Sequence, residues 1–571
     1  MNDHAIAAAN MNGAEIIAAA LKRHGVEWIF GQSIPTALFL AAPDHGIRQI
    51  GYRTENAGAM MADAYARISH RVGVVAAQNG PAATLLVPGL AEAKAASIPL
   101  IAIVQDVDRR ARDRNAFQEL DHFALFGGVT KWLRRIDACE RIDDYVDMAF
   151  TAATSGRPGP VVLLVPYDLL SEPSPAPMCR QLSLGHYPLD RPIADPAAID
   201  EAANLLAAAR CPVIYAGGGV HASDASTELA ALQQRFHLPV ATTTMGKGAV
   251  DENHPLSIGV LGYFMGSRGM TCHQRPLVEQ ADVILLVGNR TNQNGTDSWK
   301  LLPPQARYIH IDIDGLEIGR NYEAHRLAGD AKSTLQALID ALARKDTRHR
   351  EASRSALESR IVDAKASHRA ETADIKASNN VPIRPERLMA ELDRLLTPEH
   401  IVVSDASYAS IWSSNYLSAR RPGMRFLTPR GLAGLGWGLP MAIGAKIAQP
   451  QSPVFCLVGD GGFAHVWSEL ETARRHGLSL VVAVLNNQIL GYQKDAEDIL
   501  FGNHSEAVEL GPVDHAMIAR ACGCRGHRIE RPDEIAGRLK EAFAADEVTV
   551  LDVLIDPSAR PPITSFEGHL E

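Results

Sequence analysis

Two oxygen-bearing side chains, Asp460 and Asn487, stand 27 positions apart, each at the end of a short apolar run, 454–458 and 480–485. A carboxylate and a carboxamide are hard oxygen donors of the kind Mg²⁺ accepts while phosphate oxygens and water complete its octahedron. Gly461 and Gly462 follow the carboxylate and let the backbone come close to an anion, and the amino end of the next helix favours negative charge. Four residues reading GDGG are by themselves only a tight turn. Joined to Asn486-Asn487 by this spacing, they describe a place for Mg²⁺ and a diphosphate.

Both apolar runs have the length and glycine flanks of strands buried on two faces, with a helical pattern at 464–476 between them. Strand, helix, strand forms a right-handed crossover, which brings Asp460 and Asn487 to one edge of one parallel sheet. The same alternation fills the chain. Residues 11–170 hold a helix at 13–24 and strands at 28–30, 47–52, 72–77, 100–104 and 161–165. Residues 196–343 hold strands at 212–216, 239–243, 283–287 and 308–313, with Gly217-Gly218-Gly219, Gly288-Asn289-Arg290 and IDID at 311–314 marking a nucleotide-sized crevice. Residues 381–560 add strands at 401–403 and 549–555 around the two runs. The predicted fold is α/β, three doubly wound parallel-sheet domains. A proline-rich linker, 171–195, and a polar, solvent-exposed helix and linker, 344–380, separate them.

Glu55 opens the Ala/Gly-rich helix that follows Arg53-Thr54. Read alone, it is a first-turn glutamate favoured by the helix dipole. The stretch 430–440, RGLAGLGWGLP, carries so many glycines before a helix that its backbone must approach something closely.

Composition narrows the classes. A chain of 571 residues exceeds one hydrophobic core and suggests about three domains. It has 46% hydrophobic and 21% charged residues, no apolar run of membrane-spanning length and no basic segment before an apolar core at its start, so a cytoplasmic protein without membrane attachment is expected. A net charge of −10 argues against nucleic acid as a partner. The basic group at 109–114 is interleaved with Asp108 and Asp113 and reads as a solvated loop. Seven scattered cysteines fit reduced thiols, and Cys522-Gly523-Cys524 is read as core or loop thiols.

The stretch 454–492 resembles the cofactor signature of thiamine diphosphate (ThDP) enzymes, and the resemblance runs from about residue 11 to 556. It implies a pyrimidine-binding domain at 11–170, a central domain at 196–343 and a diphosphate- and Mg²⁺-binding domain at 381–560. In that family the acid and the second asparagine bind the metal together with a main-chain carbonyl, here Asp460, Asn487 and Ile489. Gly461, Gly462 and Leu490 would border the diphosphate, and Glu55 would hydrogen-bond N1′ of the pyrimidine, populating the imino form that takes the C2 proton. Leu435 would wedge between the two rings, and the carbonyl of Ala433, which replaces a usual glycine, would accept from the 4′-amino group.

Within the family, QNGPAAT at 78–84 is similar to the SGPGATN of acetolactate synthases, which puts Pro81 beside the pyrimidine; Leu85 stands where that branch has Asn. NAFQE at 115–119 is similar to its DAFQE, which turns Phe117 and Gln118 toward thiazolium and substrate. DASYA at 405–409 replaces DVGQH, placing Ser407 and Tyr408 at the diphosphate and losing a histidine. The resemblance leaves FAD, ADP or no ligand open for the central crevice, because TNQN at 291–294 stands for the synthases' FDDR.

The implied reaction is carboligation. A 2-oxo acid such as pyruvate loses CO₂ and its remaining carbon adds to a second carbonyl. Ala496 falls where the branch has the tryptophan that selects this acceptor, so a different acceptor pocket is expected. Alternatives are a lyase or decarboxylase resembling benzaldehyde lyase, with Gln32 and Gln118 handling protons, and a catalytically silent ThDP-fold regulator. Because the family's cofactor bridges first and third domains of different chains, a homodimer or homotetramer is implied. The tail, 557–571, is read as cover for the site's mouth.

Overall fold

The computed structural model describes residues 11–174 and 180–567. Three six-stranded sheets, parallel throughout, succeed one another along the chain. In the first the order is Arg48–Ile50, Trp28–Gly31, Gly73–Ala77, Leu100–Asp106, Val161–Pro166, Trp132–Arg135. The second runs Ser257–Val260, Val240–Thr242, Pro212–Ala216, Val283–Val287, Arg307–Asp312, Ala324–Ala328. The third runs Phe426–Leu427, Ile401–Ser404, Val454–Gly459, Val481–Asn486, Thr549–Leu554, Arg525–Ile529. Helices on both faces bury the central strands, as continuous apolar runs such as VILLV and VFCLV require.

Within these three sheets, five strands escape the sequence reading: Trp132–Arg135, Ser257–Val260, Ala324–Ala328, Phe426–Leu427 and Arg525–Ile529. All five are sheet edges. An edge strand is paired on one side only and needs no long apolar run, so sequences such as WLRR and RGHRI carry little period-2 signal. A second difference lies at 464–476. In place of one helix there are two short ones, Asp460–Ala464 and Glu469–Arg475, with a turn at 465–468 between them. The glycines after Asp460 do not end the strand in a loop; they form the first turn of a helix.

The first and third domains share one hydrophobic core. Helix Glu55–Ser69 lies against helix Gly438–Ala448 so closely that a methyl group on Gly444 would stand 2.0 Å from the Met61 carbonyl oxygen. The central domain keeps two cores of its own, one on each face of its sheet. It is tied to the third domain through Glu252, whose Oε2 pairs with Lys247 Nζ of the same domain at 2.7 Å and accepts from Ala419 N of the third at 2.8 Å.

Helix Arg348–Glu371 is largely exposed, as expected, yet it buries Ile361 completely on the central domain. In the linker, Pro173–Ser174 pairs antiparallel with Met11–Asn12; Pro175, Pro177 and Cys179 lie outside the described residues. The six described cysteines are free thiols. No described helix is long and apolar enough to cross a membrane.

Candidate active site

Strands Val454–Gly459 and Val481–Asn486 are hydrogen-bonded neighbours with Gly459 opposite Leu485, so Asp460 and Asn487 do leave the sheet side by side. Asp460 is 6% exposed. Its two carboxylate oxygens accept from Gly461 N at 3.0 Å and Gln488 N at 2.7 Å, and among the described residues no cation pairs with it. Burial pushes its carboxyl up to about 6. A carboxylate held by two amides, shut from water and lacking a counter-charge suits a cation supplied from outside the chain.

The two asparagines divide the work. Asn486 is buried and spends its amide on Val513 O at 3.0 Å and Asp552 Oδ1 at 2.8 Å, while Asn487 stays half-buried at the edge. Residues 488–490 are pinned by backbone bonds, Leu490 N to Val508 O at 2.8 Å and Leu510 N to Gln488 O at 2.9 Å, which fixes the Ile489 carbonyl beside them. Leu490 packs over Gly461, and the Tyr408 ring and the Asn487 amide flank Gly491.

Asp405, which sequence reasoning passed over as a site residue, organises these loops. Its carboxylate accepts from the amides of Ala406 at 2.9 Å, Gly436 at 3.0 Å and Trp437 at 3.0 Å, and a methyl group on Gly462 would stand 2.3 Å from its Oδ2. One buried acid therefore joins the turn of Ser407 and Tyr408, the loop of Ala433 and Leu435, and the loop of Gly461 and Gly462. Both Ser407 (φ 61°) and Ala433 (φ 64°) sit in the left-handed region, where an L-residue is held only if its surroundings insist.

In the first domain, Thr54 caps helix Glu55–Ser69, and Glu55 is its first residue, 9% exposed. Among the described residues no hydrogen bond or ion pair satisfies the Glu55 carboxylate. Gln32 donates from Nε2 to the carbonyls of Tyr52 at 3.0 Å and Arg53 at 2.7 Å, so it braces the turn that delivers Glu55. Pro81 starts helix Pro81–Ala96, and Asn79 Nδ2 donates to the carbonyls of Phe117 at 3.2 Å and Gln118 at 3.0 Å, locking the Pro81 turn onto the Gln118 turn. Gln118 Oε1 is buried without a partner.

Two further acids, unmarked in the sequence, clasp the first and third domains. Glu469, from the third domain, accepts from Arg53 N at 3.0 Å and Thr54 N at 3.2 Å, at the head of the Glu55 helix. Glu92, from the first, accepts from Gly431 N at 2.7 Å and Leu432 N at 2.5 Å, just before Ala433. Both are wholly buried. Only a third dimension could reveal them, since each lies more than 300 positions from its partners.

Between the three domains opens a cleft lined by Gly217, Gly218, Gly219, Asn289, Arg290 and Arg425 among others. The Arg290 and Arg425 guanidinium groups have no hydrogen bond or ion pair among the described residues, and burial pulls Arg425 down to about 10. Asp312, at the end of its strand, is pushed up to about 6 by burial.

Three family models match the chain in succession. The thiamine pyrophosphate enzyme N-terminal TPP binding domain matches residues 11–125, the central domain 199–338, and the C-terminal TPP binding domain 405–553. A probable acetolactate synthase large subunit of Methanocaldococcus jannaschii is 35% identical over 98% of this chain and 94% of its own length. An acetolactate synthase of Arthrospira platensis is 32% identical over 97% and 96%, and the acetolactate synthase isozyme 2 large subunit of Escherichia coli 31% over 96% and 96%. Matched on all three sheets and similar to these relatives over nearly its whole length, the chain belongs to the thiamine pyrophosphate enzymes, in the acetolactate synthase large-subunit family.

Proposed function

We propose that this chain is a ThDP- and Mg²⁺-dependent carboligase of the acetolactate synthase type, joining a decarboxylated 2-oxo acid to a second carbonyl compound. The observation that carries the reading is the buried Asp460, paired with no basic side chain among the described residues, next to Asn487 at adjacent strand ends. Asp460, Asn487 and the Ile489 carbonyl would hold the metal, and the amides around Gly461 and Gly462 the diphosphate. When bound, ThDP supplies the electron sink for breaking and making bonds at a carbonyl carbon. The chain's own part is to hold and move protons and to exclude water. Glu55 would keep a proton at the pyrimidine nitrogen, Ala433 O would orient the amino group, and Leu435 would fix the bend between the rings. Pro81, Ser407 and Tyr408 would border the coenzyme, and Gln118, with Gln32 behind the Glu55 turn, would face the substrates.

Product analysis with pyruvate as sole substrate tests this reading. Acetolactate is the expected product; acetaldehyde alone, or no turnover by a protein that binds ThDP and Mg²⁺, overturns it. The names of the relatives favour the carboligase over the lyase and the silent regulator. The unpaired Arg290 and Arg425 and the Gly217-Gly218-Gly219 backbone support a dinucleotide such as FAD, or ADP, in the central cleft. An absorbance band near 450 nm in the purified protein checks for the flavin. Free thiols at the described cysteines support a reducing compartment such as the cytoplasm.

A further inference from the structure

Helix Arg348–Glu371, which buries Ile361 on the central domain, ends about 15 Å further along at Glu371. There its carboxylate meets the short turn Cys272–Gln274 of that domain. Glu371 Oε2 accepts from His273 Nε2 at 2.8 Å, and among the described residues no Arg or Lys pairs with it. The Cys272 thiol completes the group: its sulfur, a ring nitrogen of His273 and a Glu371 oxygen all lie within 4.8 Å of one another. Cys272 is half-buried, whereas His273 and Glu371 reach the surface. Among the described residues no other three histidine, cysteine or carboxylate side chains bring their ligand atoms so close. The backbone that presents them is fixed. Gln274 Nε2 donates to Ile361 O at 3.0 Å, Met270 N to Asn415 Oδ1 of the third domain at 3.0 Å, and His368 Nε2 to Arg268 O at 3.0 Å. Gln274, Asn415 and His368 are buried, so the three ligands stand on rigid supports.

We propose that Cys272, His273 and Glu371 bind one Zn²⁺, with a water in the fourth position, and that the ion fastens the end of helix Arg348–Glu371 to the central domain. The ligand types choose the metal. Thiolate and imidazole take zinc and leave Mg²⁺, a hard ion, to oxygen sites such as that of Asp460. A tetrahedral ion about 2.0–2.3 Å from each ligand sets them about 3.3–3.6 Å apart, so the His273–Glu371 pair opens by about 0.5 Å and the thiol turns inward. Binding sends the Cys272 proton to solvent and moves the His273 proton to Nδ1, while Nε2 and the carboxylate turn to the ion. Two positive charges then meet a thiolate and a carboxylate, and the site is neutral. Its place favours a cation further, because Glu371 ends its helix, where the carbonyl pole of the dipole opposes a carboxylate.

The test titrates Co²⁺, a spectroscopic stand-in, and then Zn²⁺ into the reduced full chain in excess ThDP and Mg²⁺, comparing the native protein with Cys272→Ser and His273→Gln. One equivalent of Co²⁺ should give a near-ultraviolet thiolate-to-cobalt charge-transfer band, which Zn²⁺ removes by competition. Zn²⁺ should also raise the thermal midpoint of the native chain and slow amide exchange over residues 366–371. In Cys272→Ser the band should be lost. In both variants zinc affinity should fall on the order of 100-fold or more, beyond the cost of losing an outer partner of a metal site. Because His273 is exposed, its variant carries the test if Cys272→Ser does not fold. Absence of the band in the native chain, a band that survives in Cys272→Ser, or an ion released only by Asp460→Asn overturns the site. Zinc that binds there without slowing exchange at 366–371 overturns the fastening role.

Discussion

A carboxylate without a partner is costly to bury, and Glu55 keeps 9% of its surface at the head of a helix whose own dipole is its only support among the described residues. Such an arrangement persists when something else completes it. In Glu55→Gln the shape is kept and the exchangeable proton is lost. Turnover should fall by about 10²- to 10⁴-fold, the usual worth of one positioned acid or base. Affinity for ThDP, followed by fluorescence titration, should change little; unaltered turnover would remove Glu55 from the chemistry. Glu92 offers a contrasting case. Its truncation to Ala strands the Gly431 and Leu432 amides and takes from Arg67 one of its two carboxylate neighbours, Asp63 and the Thr428 carbonyl remaining, so ThDP affinity and thermal midpoint should drop together. Asp460 and Asn487 were legible because both lie within one crossover unit, where spacing encodes position. Asp405, Glu92 and Glu469 were not, because an acid that accepts backbone amides across domains leaves no local pattern.

Elements show the same division. Central strands announce themselves as apolar runs; edge strands such as Ala324–Ala328 do not, since half their neighbours are solvent. Beside that edge, strand Arg307–Asp312 carries two buried groups with opposite leanings, His310 pulled down to about 4 and Asp312 pushed up to about 6, each by burial. For His310, stability is present above its ordinary value and is lost as pH falls toward 4. For Asp312, stability is full below the ordinary carboxylate range and is lost as pH rises through 6. The two oppose each other in the same window. Asp312→Asn removes one side, so its stability relative to the native chain should increase by on the order of 1 kcal/mol between about pH 5 and pH 7.5. Urea midpoints at the two pH values check this, and a constant difference would refute it. At the seam between domains, Gly444→Val must displace the Met61 carbonyl, and overpacking of this kind costs about 1–3 kcal/mol. Loss of the shared core should appear as separate unfolding of the first and third domains in calorimetry.

On the scale of the whole molecule, the loops that carry the candidate site are also where apolar side chains meet water. Phe117 is 81% exposed, Leu432 59%, Leu85 47% and Phe123 42%. They belong to the segments of Gln118, Ala433 and Pro81, and the Asn79 and Glu92 hydrogen bonds hold those segments rigidly in place. Rigid apolar loops at the rim of a site are an interface signal, because a monomer gains nothing by ordering them toward solvent. A second copy would cover them and, with the family's arrangement, would bring a Glu55 to the metal site of its partner. The active species should therefore have at least twice the mass of one 61.6 kDa chain by sedimentation. Phe117→Asp together with Leu432→Asp, which leaves every proposed metal and proton-handling group intact, should shift the protein toward the single chain and abolish turnover together. Full activity in a species of single-chain mass would mean that one polypeptide completes the site alone, and the exposed loops would then need another partner.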